Sequence, residues 1–187
     1  FRFGKERAGD LTFTESLADE FGYEVVPTST YDFAGERVSS TRIRSVLLEA
    51  DFGEAANLLG RRFTLSGKVL KGKQLGRQIG SPTANIALKR VKSPLHGVYA
   101  VRVSGAGLVD APAVANVGVR PTVNDGSLAN LEVHLFDFAR DIYGERLKVE
   151  FMTKLRDEKK FDSLDALKAA IARDQQSARD WHAANPA

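Results

Sequence analysis

Apolar and polar positions along this chain follow two different periods, and the change falls near residue 60. Within residues 11–21, Phe13, Leu17 and Phe21 recur at helical spacing, and Gly22 supplies the residue at which such a helix stops. Tyr23-Glu24-Val25-Val26 then reads as a short strand ended by Pro27. Ser39-Ser40-Thr41 offers N-cap hydroxyls for a helix whose stripe is Ile43, Val46, Leu47 and Ala50. A second short helix over residues 53–59 closes at Gly60. This first part is an α/β pattern.

From Arg62 onward the period shortens to two. Residues 63–69, 98–103, 131–136 and 147–153 alternate, with Gly and Pro clusters between them. Short alternating strands separated by turn signals predict an antiparallel sheet that closes into a barrel or packs as a sandwich. The chain finishes in one helix, capped by Asp162 or Ser163, with Leu164, Leu167, Ile171, Ala178 and Trp181 as its apolar stripe. Asp174 falls on that same stripe, where a carboxylate must find donors or stay wet. A helix-to-barrel hydrogen bond is the favoured expectation there, ahead of a substrate contact.

Composition narrows the chemistry. The 187 residues contain no cysteine, which excludes disulfides, iron–sulfur clusters and thiolate zinc sites and fits a reducing cytoplasm. His96, His134 and His182 are too scattered for a zinc ligand set. No apolar run reaches the roughly 18 residues of a membrane span, so no membrane partner is expected. The net charge of +3 is unevenly spread: residues 55–109 hold no Asp or Glu, yet include Arg61, Arg62, Lys68, Lys71, Lys73 and Arg77. That asymmetry suits a polyanion, either nucleic acid or a nucleotide polyphosphate, and equally suits a solvated basic face.

The most informative segment runs from Lys71 through Gly72, Gly76, Arg77 and Gly80 to Ser81-Pro82-Thr83-Ala84-Asn85. Its glycines let the backbone approach a ligand and present N–H groups to phosphate oxygens. No Gly-Lys-Ser/Thr follows and the segment leads into a strand, so it is not a Walker loop. Pro82 fixes the backbone, and strand geometry puts Thr83 and Asn85 on one face. A hydroxyl and an amide oxygen side by side are hard ligands suited to Mg²⁺, which fills its octahedron with phosphate oxygens and water. An edge strand with two solvated polar residues gives the same pattern.

Gly76-Arg77 followed by Gly80-Ser81-Pro82-Thr83-Ala84-Asn85 resembles the nucleotide-binding signature of bacterial riboflavin kinases. Gly97-Val98-Tyr99-Ala100-Val101, Ala115-Asn116-Val117-Gly118-Val119-Arg120-Pro121-Thr122, Leu131-Glu132-Val133-His134-Leu135, Tyr143-Gly144 and Leu155-Arg156-Asp157-Glu158-Lys159-Lys160-Phe161 follow in the family's order and spacing. Ser81 departs from the pattern, because the family usually carries an aromatic or aliphatic residue there. The resemblance implies a mainly β fold: a closed antiparallel β-barrel of Greek-key type with a C-terminal α-helix, over residues 59–187. It implies ATP- and Mg²⁺-dependent phosphorylation of riboflavin, with FMN and ADP as products. Gly72, Gly76, Arg77, Gly80, Thr83, Asn85 and Tyr143 would then serve ATP, with Thr83 and Asn85 holding the metal. Residues 72–80 would fold over the phosphates, residues 116–122 would form a second flap beside riboflavin, and residues 137–144 would border the adenine nucleotide. Asn116, Arg120, Thr122 and Arg156 would contact riboflavin.

Glu132 would be the catalytic base. Leu131, Val133 and Leu135 point to one side of their strand and Glu132, His134 and Phe136 to the other. A carboxylate sharing a face with Phe136 is not a typical solvated charge. His134 reads as a cross-strand filler.

Residues 1–58 resemble the second half of the FMN adenylyltransferase module that precedes the kinase in bacterial bifunctional enzymes. The likeness rests on Phe1-Arg2-Phe3-Gly4-Lys5 and on Arg37-Val38-Ser39-Ser40-Thr41-Arg42-Ile43-Arg44. It implies an α/β nucleotidyltransferase remnant in which Arg37, Ser40, Thr41 and Arg44 touch a nucleotide. The chain opens without Met and reads as a piece of a longer protein; it is expected not to make FAD, although its parent would. A basic nucleic-acid-binding barrel is the main rival, but it calls for aromatics among the basic residues, and Phe63 is the only one in residues 60–92. A flavin-carrying redox protein is a third reading.

Overall fold

The computed structural model describes residues 2–72, 76, 80–88, 93–121 and 127–186, with backbone alone at 119–121 and 127–128. The chain divides into two compact units, Phe1–Val38 and Ser39–Ala187.

In the first unit a 3-10 turn at Lys5–Arg7 precedes α1 (Leu11–Ser16) and α2 (Ala18–Phe21). The Asp10 carboxylate accepts from the Phe13 N–H at 3.0 Å and starts α1. Gly22, at φ 65°, ends α2. The helix expected over residues 11–21 therefore forms in two pieces, broken at Leu17. The strand expected over residues 23–26 does not form. Residues 23–26 join no ladder among the described residues; the Tyr23 hydroxyl donates to the Thr14 carbonyl at 2.7 Å, and Val26 is exposed. The unit's strand pairing lies further on, in a hairpin of β1 (Asp32–Phe33) and β2 (Glu36–Arg37).

The second unit opens with two capped helices. Ser39 Oγ accepts from Arg42 N to start α3 (Ser40–Leu48), and Asp51 accepts from Glu54 N to start α4 (Phe52–Leu59), which Gly60 ends at φ 65°. An Arg42–Glu54 pair at 3.1 Å ties α3 to α4. The strands are β3 (Thr64–Leu70), β4 (Ala84–Ile86), β5 (Gly97–Gly105), β6 (Leu108–Pro121), β7 (Ser127–Leu135) and β8 (Arg146–Arg156). They close into an antiparallel barrel in the order β3-β4-β7-β6-β5-β8. Neither β4 nor β6 was marked by the alternation. Residues 116–121, expected as part of a flap, are the end of β6 and pair with β7.

Inward-facing Leu65, Val69, Leu131, Val133, Leu147 and Val149 fill the barrel. Phe52 and Ala55 of α4 join the same core. Phe52 lies 5.9 Å from Phe151 and 5.8 Å from Tyr99, which meets Phe151 edge-on at 5.3 Å. Burial pushes the Tyr99 phenol up to about 12, although its hydroxyl bonds the His96 carbonyl at 2.8 Å. Residues before 59 thus contribute to the barrel's own core, and the division between units falls after Val38.

The chain ends in α5 (Leu164–Ala184), which Ser163 caps. Ala178 packs on Val98, Ala100, Val114 and Phe136 of the barrel's outer surface. Polar ties reinforce the contact. The Arg179 guanidinium donates both ways to Asp137 at 3.0 Å and lies 4.3 Å above the Phe136 ring. The same guanidinium holds the Asp137 carboxyl below the usual carboxylate range. His182 Nε2 meets the Ala113 carbonyl at 3.2 Å, and Arg102 donates to the Asn185 carbonyl at 2.6 Å. The expected apolar stripe is only partly buried: Leu164 is exposed, and Leu167 and Ile171 line a cavity rather than the core.

Candidate active site

Antiparallel register builds the site across three strands. Asn85 on β4 pairs with Glu132 on β7, and Glu132 pairs with Asn116 on β6. Because Leu131 and Val133 point into the barrel, all three polar residues project from its outer face. Asn130, one alternation back along β7, donates from Nδ2 to Glu132 Oε1 at 2.8 Å and holds that carboxylate.

Two cavities lie near this row, and Glu132 and Asn116 line the first of them. The first, about 300 Å³, lies between the barrel's outer face and α5. Thr83, Asn116, Glu132 and His134 supply its polar side. Val98, Val114, Phe161, Leu167 and Ile171 supply its apolar side. The second, about 360 Å³, is bounded by Pro82 and Ala84, by Val69 and Val133, and by residues 138–143, including Arg140 and Tyr143. Thr83 lines both.

Arg156, expected beside riboflavin, lines the first cavity with its fork committed to protein partners. Its Nε and Nη2 donate to the two oxygens of Asp174 at 2.7 Å each, and Nη1 donates to the Asp157 carbonyl at 2.8 Å. The expected helix-to-barrel bond of Asp174 is this pair. The guanidinium also lies 5.7 Å from the Phe161 ring.

Asn85 Oδ1 is buried with no hydrogen-bond partner among the described residues. A buried acceptor left that way costs about 1–3 kcal/mol, so the position suits a ligand donor or a cation. No three His, Cys, Asp or Glu side chains converge as metal ligands among the described residues. The oxygen donors of Thr83 and Asn85 instead fit a hard ion that draws most of its coordination from phosphate and water. Glycine is required beside them. A Cβ on Gly72 would collide with the Asn85 amide, and one on Gly76 with the Ser81 carbonyl, close to the Thr83 hydroxyl. Gly80 turns at φ 77°.

Arg77 and Thr122 lie outside the described residues, and Arg120 is described by backbone alone, paired with Leu128. Among the adenylyltransferase-like residues, Arg37 sits on β2 in the first unit, whereas Ser40, Thr41 and Arg44 share α3 in the second. Arg44 donates to Ser40 Oγ at 3.3 Å.

Reading the sequence missed Asn130, His134 and Gln175. His134 Nδ1 lies 2.8 Å from the Pro82 carbonyl, and Gln175 donates to Ser81 Oγ at 3.0 Å. Ser81, the departure from the family pattern, thus meets a polar partner on α5. Asn130 could have been found by period two from Glu132. The other two contacts join residues far apart in the chain and carry no local signal.

Thr83 lines both cavities, and the Glu132 carboxylate, held by Asn130, lines the first. The chain belongs to the riboflavin kinase family: residues 59–182 match the family described as Flavokinase: Riboflavin kinase. The bifunctional riboflavin kinase/FMN adenylyltransferase of Escherichia coli K12 is 47% identical over 181 residues, covering 97% of this chain and 58% of that protein. Its namesake in Pseudomonas fluorescens is 50% identical over 179 residues, covering 96% and 57%. The chain therefore spans somewhat under three fifths of the curated relatives it matches. A crystal structure described as a macrolide-efflux protein from Streptococcus pneumoniae superposes with a TM-score of 0.70 at 37% identity, over 97% of this chain and 58% of that one. Among the described residues, no helix here is long and apolar enough to cross a membrane.

Proposed function

We propose that this chain transfers the terminal phosphate of ATP to the 5′-hydroxyl of riboflavin, giving FMN and ADP. The observation that carries the reading is the cross-strand row Asn85, Glu132 and Asn116, in which Glu132 and Asn116 line the first cavity and Asn85 Oδ1 is left without a partner among the described residues. The first cavity, apolar on one side, suits the flavin ring system, with Asn116, Arg120, Thr122 and Arg156 as its polar contacts. The second, which Tyr143 lines, suits the nucleotide, and Gly72, Gly76, Arg77 and Gly80 are the proposed contacts to its phosphates, although Gly76 lines the first cavity.

In this mechanism Glu132 accepts the proton of the riboflavin hydroxyl as that oxygen bonds to the γ-phosphorus. The bond from that phosphorus to the β,γ-bridging oxygen breaks, and ADP leaves. Asn130 keeps the carboxylate aimed. General-base assistance is worth about 10²–10⁴-fold, and a loose phosphoryl-transfer transition state asks little more of the nucleophile. Most of the acceleration then comes from alignment of the two ligands. Thr83 and Asn85 would hold Mg²⁺, which when bound neutralises charge on the phosphates.

The family relatives also support a division of labour: residues 59–187 as kinase and residues 1–58 as part of an FMN adenylyltransferase module in the full-length protein. Arg37, Ser40, Thr41 and Arg44 are its proposed nucleotide contacts. Dependence on ATP and a cysteine-free sequence favour a cytoplasmic setting. Nucleic acid is the less favoured partner, because Phe63 packs 5.9 Å from Phe151 and is not free to stack on a base.

Mixing the chain with riboflavin, ATP and Mg²⁺ and separating the products by chromatography tests the reading. FMN should accumulate, and its absence would overturn the assignment. Glu132→Gln should bind both substrates and turn over about 10²–10⁴-fold more slowly. Unchanged turnover would remove Glu132 from the role of base.

A further inference from the structure

His134 and Gln175 both line the first cavity, yet both end on the segment that leads into Thr83. The ladder between β4 and β7 runs through Ile86↔Leu131, Asn85↔Glu132 and Ala84↔Val133 and goes no further. Pro82 has no N–H to continue it, but its exposed carbonyl remains available as an acceptor. The His134 imidazole supplies a donor, at 2.8 Å from Nδ1. A carbonyl only accepts, so the hydrogen is on Nδ1. One residue earlier, Gln175 of α5 donates to Ser81 Oγ at 3.0 Å. Two side chains on the flavin side therefore hold the two residues that precede Thr83.

We propose that His134, seconded by Gln175, is a positioning residue for the nucleotide half of the site: it fixes the Pro82 carbonyl, and with it the direction in which Thr83 and Asn85 present their oxygens. The identity of the two ligands rests on the function proposed above. The packing alternative is definite, since His134 also meets the Phe136 ring edge-on at 5.7 Å. A filler role requires only the ring, whereas the positioning role requires the Nδ1 donor.

Binding measurements separate the two. His134→Phe keeps a ring and loses the donor; His134→Asn loses the ring and keeps an N–H near the place of Nδ1. Affinity for MgADP is read by calorimetry, and affinity for riboflavin by quenching of its fluorescence. From the worth of one neutral hydrogen bond, His134→Phe should weaken MgADP about three- to tenfold and leave riboflavin within about twofold, although the residue lines the riboflavin cavity. His134→Asn should recover most of the loss. Gln175→Leu should weaken MgADP by a smaller factor, and that factor should vanish when Ser81→Ala is already present. This second pair serves even if His134→Phe does not fold. Unchanged MgADP affinity in His134→Phe, a loss that falls on riboflavin, or a Gln175→Leu effect that persists without Ser81 would overturn the proposal. Wild-type chain that binds both ligands but forms no FMN would refute the kinase reading and leave this proposal standing. Wild-type chain that fails to bind MgADP would refute both.

Discussion

Residues 1–38 and residues 39–187 use the same local signals and reach different ends. Asp10 caps α1 as Ser39, Asp51 and Ser163 cap α3, α4 and α5, and left-handed glycines end α2 and α4 alike. Yet among the described residues of Phe1–Val38 no hydrophobic side chain is buried, while Ser39–Ala187 buries two clusters, one inside the barrel and one beneath α5. Phe13 and Phe21 have the helical spacing of a core stripe and remain exposed; Phe52 has no better spacing and is 8% exposed. Caps and periodicity therefore specify helices in both units, whereas burial of their apolar faces also needs tertiary partners, which the barrel strands supply within Ser39–Ala187.

The largest effect that sharpens this contrast is expected at Phe52. Phe52→Ala removes the ring that meets Tyr99 and Phe151 and should cost about 3–5 kcal/mol, read as a shift in the urea midpoint. A loss below 1 kcal/mol, on the order of an ordinary surface change, would mean that α4 is not part of the barrel's stability unit. Next comes Asp174→Ala, which strips Arg156 of its bidentate partner while leaving the barrel interior intact. It should cost about 1–3 kcal/mol and should loosen α5, visible as faster amide exchange in residues 170–182.

A smaller effect is carried by His182. Burial holds its imidazole below the usual 6.5, with Nδ1 buried and unpaired among the described residues. The unfolded chain then takes up the proton first as pH falls. Stability is complete above the unfolded value and declines as pH drops from about 6.5 toward the depressed folded value. Melting temperature across pH 5 to 8 should follow that decline, and His182→Gln should flatten it. The smallest change is expected at Phe21, where Phe21→Ala should alter the urea midpoint by no more than about 0.5 kcal/mol. A larger loss there would break the contrast between the units.

Much of the fold was legible because β3, β7 and β8 keep apolar and polar positions apart; β5 was read as a strand although Gly97 to Val101 are buried on both faces. The strand β6 was not, because it buries both faces at Ala113, Val114, Ala115 and Val117, with the barrel interior on one side and α5 covering part of the other. Burial on both faces erases alternation. Short β4 is too brief to show a period, and residues 23–26, which have a strand's composition, join no ladder among the described residues. The site divides in the same way. Glu132, Asn85 and Asn116 could be reached through ordered motifs and strand parity. The Pro82 carbonyl that occupies His134, and the Arg156 that occupies Asp174, are set by tertiary approach alone.

The row Asn85–Glu132–Asn116 exists only because three strands share one register. Strand parity is binary, so inserting or deleting a single residue within β7 would turn Glu132 into the apolar interior and Val133 out toward the ligands. Catalytic geometry and foldability are therefore not independently adjustable on this strand. Length variation among descendants of this chain should collect in the hairpins, such as the turn at Ala106 and Gly107, and spare the middle of β7.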